Sequence, residues 1–245
     1  MKSLKKALDV LEYIINHNNS PVTPGEAAKN LGLDPATCVR IMGEFTKQGY
    51  LEHVSRRAGY VPGPAVFTFS NRSHWKYAQL IQAAIEPIKI LAHKVRSVVN
   101  ISIMHDTYKY ILFHYSADSR RNIPLKTRYL PDFACTATGR LLLSTLPETT
   151  VKEICAKFDI KDHTGNPVDL TALLKELKKT ATDGHVCFRA PDVKLWIIGA
   201  LVRPDNFPPA AVGYGIDGDN CKDALKATLE AAGQIEDSLK NQALK

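Results

Sequence analysis

The sequence predicts an α+β protein of two domains. Its 245 residues allow one to two domains at ~150 residues each. Apolar residues keep a helical period up to Gln48 and then give way to short alternating runs, a change of secondary-structure type. Farther along, strands, helices, strands and a last helix follow one another without regular β-α alternation, which is the α+β pattern.

Composition narrows the class. Hydrophobic residues at 44% and charged residues at 23% exclude a disordered, collagenous or purely coiled-coil chain. No apolar run approaches ~18 residues, so no membrane span is expected. Met1 to Asp9 is basic and amphipathic with no signal-peptide core, which predicts a cytoplasmic protein. The five cysteines are scattered and never form C-x-x-C, so free thiols are expected and a zinc knuckle is not. No metal cluster or cofactor motif is visible, and neither G-x-S-x-G nor H-E-x-x-H occurs. The net charge is +7, yet residues 1–72 carry only nine basic against six acidic side chains. Charge therefore does not mark a DNA-binding half; pattern must.

The first helix starts after Ser3 as cap and puts Leu4, Ala7, Leu8, Leu11, Ile14 and Ile15 on one face. It stops in the turn-rich segment His17 to Pro21. Thr23, Pro24 and Glu26 form a capping box and open a short helix that ends near Leu31. Gly32 supplies the turn. Asp34 and Pro35 open a third helix, to about Gln48, with Val39, Met42, Phe45, Cys38 and Ile41 expected inward. Two helices joined by a short glycine turn are a helix-turn-helix, and the second of the pair is the one that enters a major groove. Tyr50–Val54, a turn with Arg56 and Arg57, and Tyr60–Val61 read as a basic hairpin, a wing. The candidate DNA-binding residues are Ala36, Thr37, Arg40 and Lys47 on the third helix, with Arg56 and Arg57 on phosphates.

Trp75 to about Arg96 is helical, with Ala78, Ile81, Ala84, Ile85, Ile88, Leu91, Ala92 and Val95 on one face, and Pro87 is expected to kink or split it. Val99–Ile103 and Tyr110–His114 alternate as two strands around Asp106-Thr107. Helices are expected at 137–146, 148–157 and 170–182. Leu195–Arg203 and Ala211–Asp217 form a second hairpin, and a helix runs from Asn220 to Leu239.

The opening Ser3-Leu4-Lys5-Lys6-Ala7-Leu8-Asp9-Val10-Leu11 resembles the first helix of the IclR family of bacterial transcription regulators. Glu26 to Arg40 resembles that family's helix-turn-helix. Gly49-Tyr50-Leu51 and Gly59-Tyr60-Val61-Pro62-Gly63 resemble its wing. Ala137-Thr138-Gly139-Arg140-Leu141-Leu142-Leu143 resembles its A-x-G-R-x-L-L helix start, and Ile198 to Val202 with Ala210 to Tyr214 its paired strands. The resemblance implies residues 1–72 as a winged helix-turn-helix domain, 73–90 as a linker helix, and 91–245 as a GAF-like effector-binding domain with an antiparallel sheet. It also implies a homodimer or homotetramer on a palindromic double-stranded DNA operator, no enzymatic activity, and a small organic acid as effector.

A helix start after an irregular segment can hold a carboxylate on its free N–H groups, or can simply be a capped helix. With the resemblance, the effector residues are Tyr129, Phe133, Cys135, Thr136, Thr138, Gly139, His185, Trp196, Gly213 and Gly215. The chain departs from the family where Pro131 to Thr136 lacks a histidine, where His185 to Trp196 replaces an acidic run, and where Gly213 and Gly215 replace small hydroxyl residues. These departures leave open a constitutive DNA-binding protein with a non-functional pocket. A cysteine enzyme using Cys135 or Cys187 with His185 is a further alternative.

Overall fold

In a computed structural model, residues 2–17, 20–70, 75–118, 133–162, 166–190, 194–218 and 220–243 are described. The chain divides into two compact units, one ending at Ala78 and one beginning at Gln79. The division falls inside a helix.

The first unit begins with α1 (Lys2–Ile15), α2 (Pro24–Leu31) and α3 (Pro35–Lys47). Thr23 caps α2 by accepting Glu26 N–H, and Asp34 caps α3 by accepting Thr37 N–H, as the two cap-proline pairs predict. Gly32 ends α2 at φ 63°, donating to Ala28 O; a side chain there would meet backbone strain. Strands β1 (Leu51–Ser55) and β2 (Gly59–Pro62) form the wing hairpin. Val22 and Tyr60 exchange two backbone hydrogen bonds of 2.9 Å, which fixes the hairpin beside the entry to α2. Helix α4 (Pro64–Ser70) follows and was not expected. The core holds Val10, Ile14, Val22, Ala27, Ala28, Cys38, Met42 and Leu51. Full burial of an aliphatic side chain of this kind is worth ~1.5–3 kcal/mol.

Two expected faces are corrected. On α1 the buried residues are Val10 and Ile14, whereas Leu4, Leu8 and Ile15 are exposed. Packing against α2 and α3 selects only one side of a stripe wide enough for two. On α3, Val39 is 52% exposed and Cys38 takes the inward position, because the core side is set by Cys38 and Met42 four residues apart.

The second unit takes most of α5 (Lys76–Val95), which runs through Pro87 without splitting. Leu80, Ala83 and Ala84 before the proline and Ile88, Leu91 and Ala92 after it are buried, and this packing on both sides outweighs one missing hydrogen bond. Strands β3 (Val98–His105), β4 (Tyr108–Ser116), β5 (His185–Ala190), β6 (Leu195–Val202) and β7 (Ala210–Ile216) form one antiparallel sheet in the order β4-β3-β7-β6-β5. β5 was missed because its run His185 to Ala190 mixes polar, aromatic and basic residues; pairing with β6 makes it the edge strand. Helix α6 (Ala137–Leu143) lies on one face with α7 (Glu148–Phe158) and α8 (Leu170–Asp183) behind it. The long α9 (Cys221–Ala243) covers the other face.

Candidate DNA interface and effector face

The free face of α3 presents Ala36, Val39, Arg40 and Lys47, all exposed, with the less exposed Gly43 among them. Positions 36, 40, 43 and 47 fall at the spacings that keep residues on one helix face. Thr37, at the start of that helix, is tied to its cap: Asp34 Oδ1 accepts its N–H at 3.0 Å and its hydroxyl at 3.5 Å. Arg40 has no ion pair or hydrogen bond among the described residues, so all five of its donors are available. Lys47 pairs with Glu44 at 3.2 Å, which offsets part of its charge. Arg56 and Arg57 occupy the wing turn, both exposed. Val39 escaped the sequence reading because a valine in an amphipathic helix is read as core. Exposed here, it offers the apolar contact that a thymine methyl accepts.

The predicted effector residues do not form one cluster. Tyr129 lies outside the described residues. Phe133 is fully buried and packs in the core shared by α6, α7 and α8. The Cys135 thiol donates to Lys161 O at 3.2 Å. Thr136 caps α6 by accepting Gly139 N–H at 3.1 Å. Gly139 abuts the backbone of Phe133, whose oxygen would lie 2.3 Å from a Cβ. Gly213 of β7 pairs with Gly199 of β6, and this bare patch lets α6 lie directly on the sheet. A Cβ on Gly213 would stand 2.8 Å from the Thr138 methyl and 3.0 Å from Ala137 Cβ. Thr136, Thr138, Gly139, Gly213 and, farther along the strand, Gly215 are therefore on the α6 side.

His185 and Trp196 are on the opposite side. Cross-strand partners share a face, and successive residues alternate. His185 pairs with Ala200, which pairs with Val212; Trp196 pairs with Ile216. Val212 and Ile216 alternate with Gly213 and Gly215, and share their face with Tyr214, whose hydroxyl reaches α9. The Trp196 indole N–H is buried with no acceptor among the described residues.

One residue that the sequence reading missed stands at the α6 start. Lys109 on β4 is 2% exposed, and its ammonium donates to Thr136 Oγ1 at 3.1 Å. Its neighbours Tyr108 and Tyr110 gave no sign of a buried cation. Arg140, also of α6, donates to Ala134 O at 2.7 Å and Glu176 at 2.6 Å and lies 4.0 Å over the Phe188 ring. Burial lowers its pKa while Glu176 raises it. Described residues of this unit also line two cavities away from the α6 start. One of about 470 Å³ is bounded by Lys94 of α5, Ile216, and Asp223 and Lys226 of α9. The other, about 240 Å³, is bounded by Cys155 and Ile160. Among the described residues, no group of three or more His, Cys, Asp or Glu could hold a metal ion. No helix among them is long and apolar enough to cross a membrane.

A capped helix-turn-helix with a basic wing, followed by an antiparallel sheet domain, defines a DNA-binding regulator with a ligand-binding type of C-terminal unit. The chain matches the IclR helix-turn-helix domain over residues 3–55 and the bacterial transcriptional regulator IclR C-terminal domain over residues 74–189, and it belongs to the IclR family. Solved structures share this architecture. An IclR homolog from Microbacterium hydrocarbonoxydans complexed with 4-hydroxybenzoate is 20% identical, covers 98% of this chain and 99% of its own, and has a TM-score of 0.79. An IclR transcriptional regulator from Alicyclobacillus acidocaldarius is 18% identical at the same coverage, with a TM-score of 0.74. The Thermotoga maritima IclR is 19% identical at the same coverage, with a TM-score of 0.67. At such identities these structures speak for the fold. No curated protein matches the chain.

Proposed function

We propose that this regulator binds a palindromic operator as a homodimer or homotetramer in the cytoplasm, and that a small organic acid modulates its DNA affinity. Residues 1–72 serve as the DNA-binding domain, 73–90 as linker and 91–245 as effector domain. The observation that carries the DNA reading is the exposed, unpaired Arg40 in the open face of α3; Arg56 and Arg57 in the wing turn are exposed as well. Arg40 reads a base edge with Ala36, Thr37 and Val39 beside it; Lys47, Arg56 and Arg57 hold phosphates. The effector reading draws support from a buried ammonium, Lys109, beside Thr136. It also fits the aromatic acid held by the Microbacterium homolog. A ligand changes DNA affinity only if it prefers one arrangement of the protein over another.

A second reading has its own observation. The α6 start is capped by Thr136, and the Thr138 methyl fills the space over Gly213. Both favour a constitutive DNA-binding protein with a closed effector face.

Selection of bound fragments from random duplex DNA tests the first part: a palindromic motif is expected, and binding that only fades with salt would overturn it. Arg40→Ala is expected to erase the motif. Melting in the presence of small acids separates the two readings, since a ligand held only by the folded state raises stability. No rise with any acid would leave the constitutive reading standing.

A further inference from the structure

We propose that Cys187 and Cys221 form an oxidant-sensitive pair that closes to a disulfide on meeting a peroxide and reopens with a dithiol. The sheet register places them together. Cys187 on β5 pairs with Ile198 of β6, which pairs with Tyr214 of β7, so the three side chains form a row on one face. The Tyr214 hydroxyl donates to Ala224 O at 3.0 Å and meets Thr228 Oγ1 at 2.7 Å, both on α9. Cys221 is the first residue of α9, about one turn before Ala224, and α9 also packs against β5. The Cys187 and Cys221 thiols lie within hydrogen-bonding reach of each other, and both are partly exposed. A small oxidant can therefore arrive, and its product has a second sulfur waiting.

The other thiols are placed differently. Cys38 is buried in the other unit, Cys135 is turned to Lys161 O, and Cys155 sits on α7.

The chemistry balances. Burial, and then the neighbouring Cys221, push the Cys187 thiol up to about 11, so it keeps its proton near neutral pH. In this proposal Cys221, at the head of α9, is the thiol that reacts first. Its sulfur attacks one peroxide oxygen, the O–O bond breaks, and water leaves a sulfenic acid. The Cys187 sulfur then displaces the hydroxyl, which leaves as water with the Cys187 proton, and the S–S bond forms. Two thiols are oxidised and one peroxide is reduced to two waters. The bridge would tie the edge strand β5 to the head of α9 and enclose β6 and β7.

The full-length reduced protein is treated with hydrogen peroxide, its remaining thiols are alkylated, and it is mapped by peptide mass. The expected result is one cross-linked peptide pair joining Cys187 to Cys221, lost on dithiothreitol treatment and absent from Cys187→Ser, Cys187→Ala, Cys221→Ser and Cys221→Ala. The oxidised wild type is also expected to melt at a higher temperature than the reduced form, with no such rise in these variants. Separate alkylation of Cys187 and Cys221 after peroxide, a cross-link between other cysteines, or conversion to sulfinic acid without a cross-link would each overturn the proposal.

Discussion

The Lys109 ammonium and the main-chain N–H of Gly139 converge on one atom, Thr136 Oγ1, each at 3.1 Å. A single hydroxyl thus caps α6 and receives a buried cation from β4. Thr136→Ala removes the cap and one acceptor of that ammonium. The expected loss is about 1–2 kcal/mol of stability, with Thr136→Ser close to wild type. Urea unfolding reads this directly: the midpoint should fall at constant slope for Ala and not for Ser.

Arg140 joins three elements through Ala134 O, Glu176 on α8 and the Phe188 ring on β5. Arg140→Ala leaves a buried carbonyl unmatched and uncovers the ring, for an expected cost of about 1–3 kcal/mol. Arg140→Lys should recover little of it, because an ammonium offers neither the planar fork nor the stacked face. Full stability in the lysine variant, measured by thermal melting, would contradict this account.

Gly213 and Gly43 make a matched pair. An added methyl at Gly213 meets Thr138 and Ala137, whereas at Gly43 nothing lies within 4 Å. Gly213→Ala is expected to destabilise by about 1–3 kcal/mol by lifting α6 from the sheet. Gly43→Ala is expected to stabilise by about 0.5–1 kcal/mol through helix propensity alone. Opposite shifts in melting temperature are the signature.

Tyr214 gives a pH dependence. Burial first, then the nearby Cys187, raise its phenol to about 12 despite the opposing hydrogen bond with Thr228. The unfolded phenol ionises near its ordinary value of ~10, so between the two the unfolded state has released a proton that the folded state keeps. Stability tied to this group is full below pH ~10 and drains as pH rises toward 12. Tyr214→Phe should be less stable at neutral pH by about 1 kcal/mol, having lost two hydrogen-bonded partners. Its alkaline decline should be shallower. Chemical unfolding at a series of alkaline pH values compares the two slopes, and parallel slopes would exclude Tyr214 as the source.

The DNA-binding head was legible because its information is local. Thr23-Pro24, Gly32 and Asp34-Pro35 each dictate a cap or a turn through neighbouring atoms, and α2 and α3 begin at those prolines. Val39 shows the limit: its outward position depends on which side of α3 meets the other helices, and helical spacing alone admits more than one. The effector side was less legible still. Thr136, Thr138 and Gly139 are adjacent in sequence, yet whether Gly213, His185 or Trp196 joins them is a matter of strand parity across three strands. Parity separates Gly213 from the other two.

By itself the sequence determined the α+β class and the winged helix-turn-helix with its two cap-proline starts. Those follow from backbone chemistry within a few residues. Only the tertiary structure decided the burial of Lys109 beside Thr136, the seating of α6 on Gly199 and Gly213, the continuity of α5 through Pro87, and the meeting of Cys187 with Cys221. Each of these depends on segments distant in the chain or on packing along a whole helix, so the energies that settle them exist only once the sheet and its covering helices are assembled.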